Sequence, residues 1–179
     1  MQQIHAILAA MTIAGVLSFV AISAEAQAVS PTATVADRRF AQQVAMNDLF
    51  EIEASRLAMQ RARQGPIRDL AQAVSTDHLQ SSQELKAWGD KSGIALTMPT
   101  RLDAPHARML AQLRAASDRG FDELYLIMQA EMQKRASQLR RDYLDGTGAP
   151  ALKTVAEAGE VTVQQHLARI KEIAAAAQR

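Results

Sequence analysis

Apolar positions recur at helical spacing through most of the chain, and breakers divide the pattern into segments. Asp37 opens a run that reaches Gln64, where Gly65-Pro66 stops it. Pro66 suits the first turn of the next helix, which runs to about Ser92, with Gly93 as its C-terminal cap. In that second helix Ile67, Leu70, Val74, Leu85 and Trp88 share a face. Residues 94–118 make a long connection. It carries a short helix with Asp103 as N-cap and Pro105 just inside, running to Ala116. A third long helix spans Phe121 to Asp145, striped by Phe121, Leu124, Tyr125, Met128, Met132 and Leu139, and Gly146-Thr147-Gly148 ends it. Pro150 opens the fourth, with Leu152, Val155, Val163, Ile170 and Ile173 on one face. The first stripe, Phe40, Val44, Ile52 and Leu57, is less regular. Gly159 lies inside the fourth helix, where close helix approach is its expected use. Each long helix has about 25 residues, or roughly 37 Å at 1.5 Å per residue. The prediction is an all-α four-helix bundle of ferritin-like type, with a long second-to-third-helix connection carrying a short helix.

The stripes are interrupted where it matters. Glu51, His78 and His166 face the core by periodicity, and each is costly there unless paired, hydrogen-bonded or ligated. Counting outward from the two tight turns puts Glu51 level with about residue 79 and His166 with about residue 130, at 1.5 Å per residue. His78 then lies level with Met132 whether or not the long connection crosses the bundle. One cross-section therefore collects Glu51, His78, Met132 and His166, with Asp77 beside His78. Two readings stay open. The layer is a hydrogen-bonded device that fixes helix register, with Glu51 and His78 as a buried ion pair. Alternatively, Glu51, His78, His166, Asp77 and Met132 form a site for a single transition-metal ion. The paired Glu-x-x-His motifs of di-iron bundles are missing.

Other candidates are weaker. Asp122, one turn before Tyr125, reads as a surface carboxylate favoured by the helix dipole. His106 reads as solvent-exposed, and the methionines as core filler. Serine-histidine-aspartate catalysis has no support, and the chain leans away from being an enzyme, with no catalytic residue to name.

Composition narrows the class. The chain has 179 residues, 48% hydrophobic and only 4% aromatic, which suits helices packed through small residues. Net charge is +1 with interspersed signs, so no nucleic-acid surface is expected. Cysteine is absent, which excludes disulfides and thiolate chemistry and suits an oxidising compartment. Residues Ala6 to Ser23 carry no charge, and Ala24-Glu25-Ala26 and Ala26-Gln27-Ala28 offer small-x-small cleavage patterns. Residues 1–26 are therefore expected to be a signal peptide, cleaved after Ala26 or Ala28. Residues 27–36 would be a linker and 37–177 the helical domain. The mature protein would be periplasmic or secreted and would meet a membrane only through the signal. An uncleaved signal would instead make a membrane-anchored interaction module. Protein partners are not specified, and a homo-oligomer is compatible with the pattern.

Ordered short motifs carry a family resemblance. They are Phe40-Ala41 through Asn47-Asp48-Leu49-Phe50-Glu51-Ile52-Glu53 with Leu57-Ala58, then Thr76-Asp77-His78, Glu84-Leu85 and Gly93-Ile94. Leu102-Asp103 with His106, Phe121-Asp122 with Tyr125, and His166-Leu167 complete the series. Over about residues 38–173 the chain resembles an exported bacterial family, catalogued as domain of unknown function 4142 and described as ferritin-like. The resemblance implies a four-helix ferritin-like fold and secretion, with no established activity. It also marks departures. The family has a third-helix histidine where this chain has Met132, and a small residue and proline where this chain has Glu160 to Gln165.

Overall fold

The computed structural model describes residues 33–177. Five helices and no strands are present among them: α1 Val35–Arg61, α2 Gly65–Lys91, α3 Ala104–Ala115, α4 Phe121–Asp145 and α5 Pro150–Ala177. The expected signal peptide, residues 1–26, and most of the expected linker, residues 27–36, lie outside the described residues. No described helix is long and apolar enough to cross a membrane.

Local chemistry sets the ends. Thr34, not Asp37, is the N-cap of α1, and Asp37 closes a capping box with it. Pro66 lies in the first turn of α2, and Gly93 takes φ +66° just beyond its end, a conformation that favours glycine. Asp103 caps α3 by accepting from the His106 N–H at 3.0 Å.

The long helices form a helical bundle in which α1 packs on α2, α2 on α5, α5 on α4 and α4 on α1. Cross-contacts fix the directions. Asp37 meets Tyr143, Ser55 meets Tyr125, and Arg63 meets Asp122, so α1 and α4 are antiparallel. Since α2 reverses on α1, α2 and α4 run parallel, and the connection between them travels the length of the bundle. On the way α3 packs against α1 and α4. Arg61 holds the end of α3, donating to the carbonyls of Arg114 at 2.8 Å and Ala116 at 2.7 Å.

Two buried aspartates tie the hairpins together. Asp122 is 7% exposed and accepts from the backbone N–H groups of Arg63 at 3.0 Å and Gln64 at 3.1 Å, gripping the α1–α2 turn. This corrects its reading as a surface carboxylate: the turn buries it because it supplies the acceptor that two turn amides lack. At the opposite end Asp37 accepts from Tyr143 Oη and from the Ala149 N–H at 3.0 Å, gripping the α4–α5 turn. Tyr143 is held there by Phe40, stacked at 4.0 Å.

The apolar interior is split. One cluster includes Phe50, Ile67, Val74, Leu113, Phe121, Tyr125, Met132 and Ile170. The other includes Phe40, Val44, Leu85, Trp88, Tyr143 and Leu152. Between these sequence levels lie the buried polar residues Asp48, Glu51, His78, Gln129, Gln133, Arg140 and His166.

Candidate functional site

The polar layer is built from all four long helices. On α1, Asp48 and Glu51 are one turn apart, and both are buried. On α2, Asp77 and His78 diverge: His78 points inward and Asp77 toward α5. Gln129 and Gln133 come from α4, one turn apart, and His166 from α5.

Each histidine is held by its own carboxylate. His78 Nδ1 lies 2.8 Å from Asp48 Oδ1, and Asp48 Oδ2 accepts from Ser82 Oγ at 3.3 Å. His166 Nε2 lies 2.9 Å from Asp77 Oδ2. A carboxylate only accepts, so His78 donates through Nδ1–H and His166 through Nε2–H. The inward nitrogens differ. His78 Nε2 faces Gln133 Nε2 at 3.4 Å, whereas buried His166 Nδ1 has no partner. The two rings lie 5.8 Å apart between centroids.

Glu51 does not pair with His78. Its Oε2 accepts from Gln129 Nε2 and its Oε1 from Gln133 Nε2 at 3.2 Å. Gln133 thus bridges Glu51 and His78, and a run of hydrogen bonds joins Asp48, His78, Gln133, Glu51 and Gln129. The expected Glu51–His78 ion pair is replaced by two glutamine contacts because Asp48, one turn earlier on α1, takes the imidazole first.

Burial governs the charges. Desolvation pushes the Glu51 carboxyl up to about 6, against the His78 charge and the Gln129 hydrogen bond. For His78, desolvation acts downward, but the Asp48 hydrogen bond and charge, with the Glu51 charge, leave it raised. His166 is lowered by desolvation, which the Asp77 hydrogen bond only partly offsets. Arg140, 3% exposed, lies close enough to feel Asp48, Glu160 and Glu51.

The five predicted residues are thus distributed over separate partnerships. Glu51, His78 and His166 share the layer, Asp77 serves His166, and Met132 packs in the apolar cluster. Among the described residues no group of three or more His, Asp or Glu side chains is placed to hold a metal ion. His106 is half-buried rather than exposed: its Nδ1 lies 2.7 Å from Asp103, and its ring tilts on Phe50 at 5.5 Å. Gln129, Gln133 and Arg140 are not singled out by the sequence reading, and Asp48 enters it only within a family motif, not as a member of the layer. The signal for Asp48 was its place three before Glu51. The two glutamines share a spacing of four, on the face that also carries Tyr125 and Met132.

The model of the family described as Domain of unknown function (DUF4142) matches residues 22–173. The chain belongs to this family. Among solved structures, this DUF4142 member is similar to one described as "Crystal structure of DUF305 fragment from Deinococcus radiodurans", with a TM-score of 0.70 and 18% identity. The match covers 80% of this chain and 97% of that one, and at this identity it shows the helical fold alone. No curated protein matches.

Proposed function

We propose that this DUF4142 member is an exported, ferritin-like four-helix bundle that acts without catalysis, as a binding or envelope stress-related protein. One observation carries the non-catalytic reading. The carboxylates of the layer are committed to fixed partners: Asp48 to His78, Asp77 to His166, and Glu51 to Gln129 and Gln133. Such a network fixes which residues face one another across four helices, a register role. The ferritin-like reading is supported by the one long connection that makes α2 and α4 parallel. Export is supported by the uncharged run Ala6 to Ser23 and the small-x-small sites that follow. The test replaces Glu51, His78 and His166 together by apolar residues, in cells whose loss of the gene weakens survival of envelope stress. Rescue by the folded variant supports the reading, and failure of a folded variant to rescue contradicts it.

A second reading, a single-metal site at Glu51, His78 and His166, is favoured by one observation. Each histidine gives one nitrogen to a carboxylate and keeps the other, His78 Nε2 and His166 Nδ1, off any carboxylate. Carboxylate-backed imidazoles are the usual outer arrangement of metal ligands. Elemental analysis of protein purified from its native compartment decides. Stoichiometric metal lost in His78→Ala supports this reading, and sub-stoichiometric metal unaffected by that change eliminates it.

A further inference from the structure

The polar layer holds one buried cation that no carboxylate of the described residues touches, although Asp48, Glu160 and Glu51 lie near enough to favour its charge. Among the described residues Arg140 makes no ion pair. Its hydrogen bond runs from Nη1 to the Ala136 carbonyl of its own helix, at 3.2 Å. A guanidinium stays charged and carries five donors in a planar fork. The other donors of Arg140 are not among the sealed polar atoms that lack a partner, which fits a fork that opens on a cavity. Arg140 lines a cleft of about 100 Å³ between α2 and α5.

Gly159 makes that placement feasible. A Cβ there would lie 2.5 Å from Arg140 Nε and 3.0 Å from Nη2, so any larger residue would push the guanidinium out of its present position beneath α5. This is the close approach expected at Gly159, made by a side chain rather than by a helix backbone. The same cleft is lined on α2 by Asp77 and Glu84. Asp77 gives Oδ2 to His166 and Glu84 gives Oε1 to Gln80, so each has a second carboxylate oxygen to offer. His78, Gln80, Ser81 and Thr162 complete the polar lining.

The walls therefore carry opposite charge. A simple anion would meet Asp77 and Glu84, and a simple cation would meet Arg140. We propose that the cleft binds a small zwitterion of the α-amino acid class, its carboxylate on Arg140 and its ammonium on Asp77 and Glu84. The volume has room for several water-sized groups, on the order of five or six non-hydrogen atoms, the size of glycine or alanine. The planar fork matches a carboxylate through two parallel hydrogen bonds. This gives the binding reading a ligand class and rests on it. Export stands or falls separately, on the mature N-terminus.

The test is an NMR titration of the purified protein at neutral pH and low salt with glycine, alanine, acetate and methylammonium. Glycine or alanine is expected to shift the backbone amides of residues 77–84 and 155–163 saturably. Acetate and methylammonium, each lacking half of the recognition, should bind about tenfold more weakly. Arg140→Lys, checked for fold by circular dichroism, should weaken glycine about tenfold, because an ammonium cannot reproduce the fork. Glu84→Gln, at the half-buried rim, should weaken glycine and spare acetate, and it keeps the test decisive if Arg140→Lys does not fold. The proposal is overturned if neither amino acid gives saturable shifts. Equal binding of glycine, acetate and methylammonium, or unchanged glycine affinity in Glu84→Gln, overturns it too.

Discussion

Asp48 decides the state of His78. The carboxylate is fully buried and accepts from His78 and Ser82. Removing the imidazole would strand a buried charge, which costs on the order of 3–5 kcal/mol. His78→Ala should therefore lower stability by about that amount in chemical unfolding. His166→Ala should lose clearly less, because its partner Asp77 has 40% of its side chain exposed and can turn to water. Glu51 makes a prediction in pH. Its folded value of about 6 lies above the ordinary carboxyl value of 4.5, so the folded state binds the extra proton. Its contribution is fully present below about 4.5 and is lost as pH rises through 6. His78, raised, loses its contribution as pH rises above 6.5, and His166, lowered, loses its own as pH falls below 6.5. Glu51→Gln should remove the decline between pH 4.5 and 6 from a profile of stability against pH. A variant that keeps that decline would show that another group causes it.

At the scale of elements, the helices were legible because their punctuation is chemical. Phe121 and Asp145 bound α4 as the breakers predict, and Asp103 caps α3. Thr34 was missed because Asp37 looked like the opening residue, when it is the second half of a capping box. The buried roles of Asp37 and Asp122 were not legible. Each binds backbone of a turn far away in sequence, a contact that no local pattern encodes. Those contacts make a prediction about elements rather than side chains. Asp122→Ala should unpair the Arg63 and Gln64 amides and cost about 2–3 kcal/mol. Its signature is faster hydrogen exchange at the α1–α2 turn, with the α4–α5 turn unchanged. Asp37→Ala should give the mirror result. Asp37 is held below the usual carboxylate range by hydrogen bonds from Tyr143, Ala149 and Thr34 that outweigh its desolvation. Its contribution is therefore present above about 3.8 and lost as pH falls through its lower folded value.

For the whole molecule, periodicity located the level of the layer but not its pairings. Helical spacing says that Glu51, His78 and His166 point inward, and turn counting says that they meet. It does not say which acid meets which base, because Asp48 and Glu51 lie one turn apart on one face and either could reach α2. The direction of the long connection was also undetermined from sequence, and the contacts of α1 with α4 now fix it. The layer separates two apolar clusters, so its substitution should be felt across the molecule. Replacing Gln133 with Leu removes the bridge between Glu51 and His78 and should broaden the unfolding transition, as the two halves lose register. A transition of unchanged sharpness would argue against a register role. The protonation pattern of the histidines tests the central claim most directly. Long-range nitrogen–proton NMR at mildly alkaline pH reports which ring nitrogen carries hydrogen. Neutral His78 should hold its proton on Nδ1 and neutral His166 on Nε2, each facing its carboxylate. A proton on Nε2 of His78, or on Nδ1 of His166, would contradict the account.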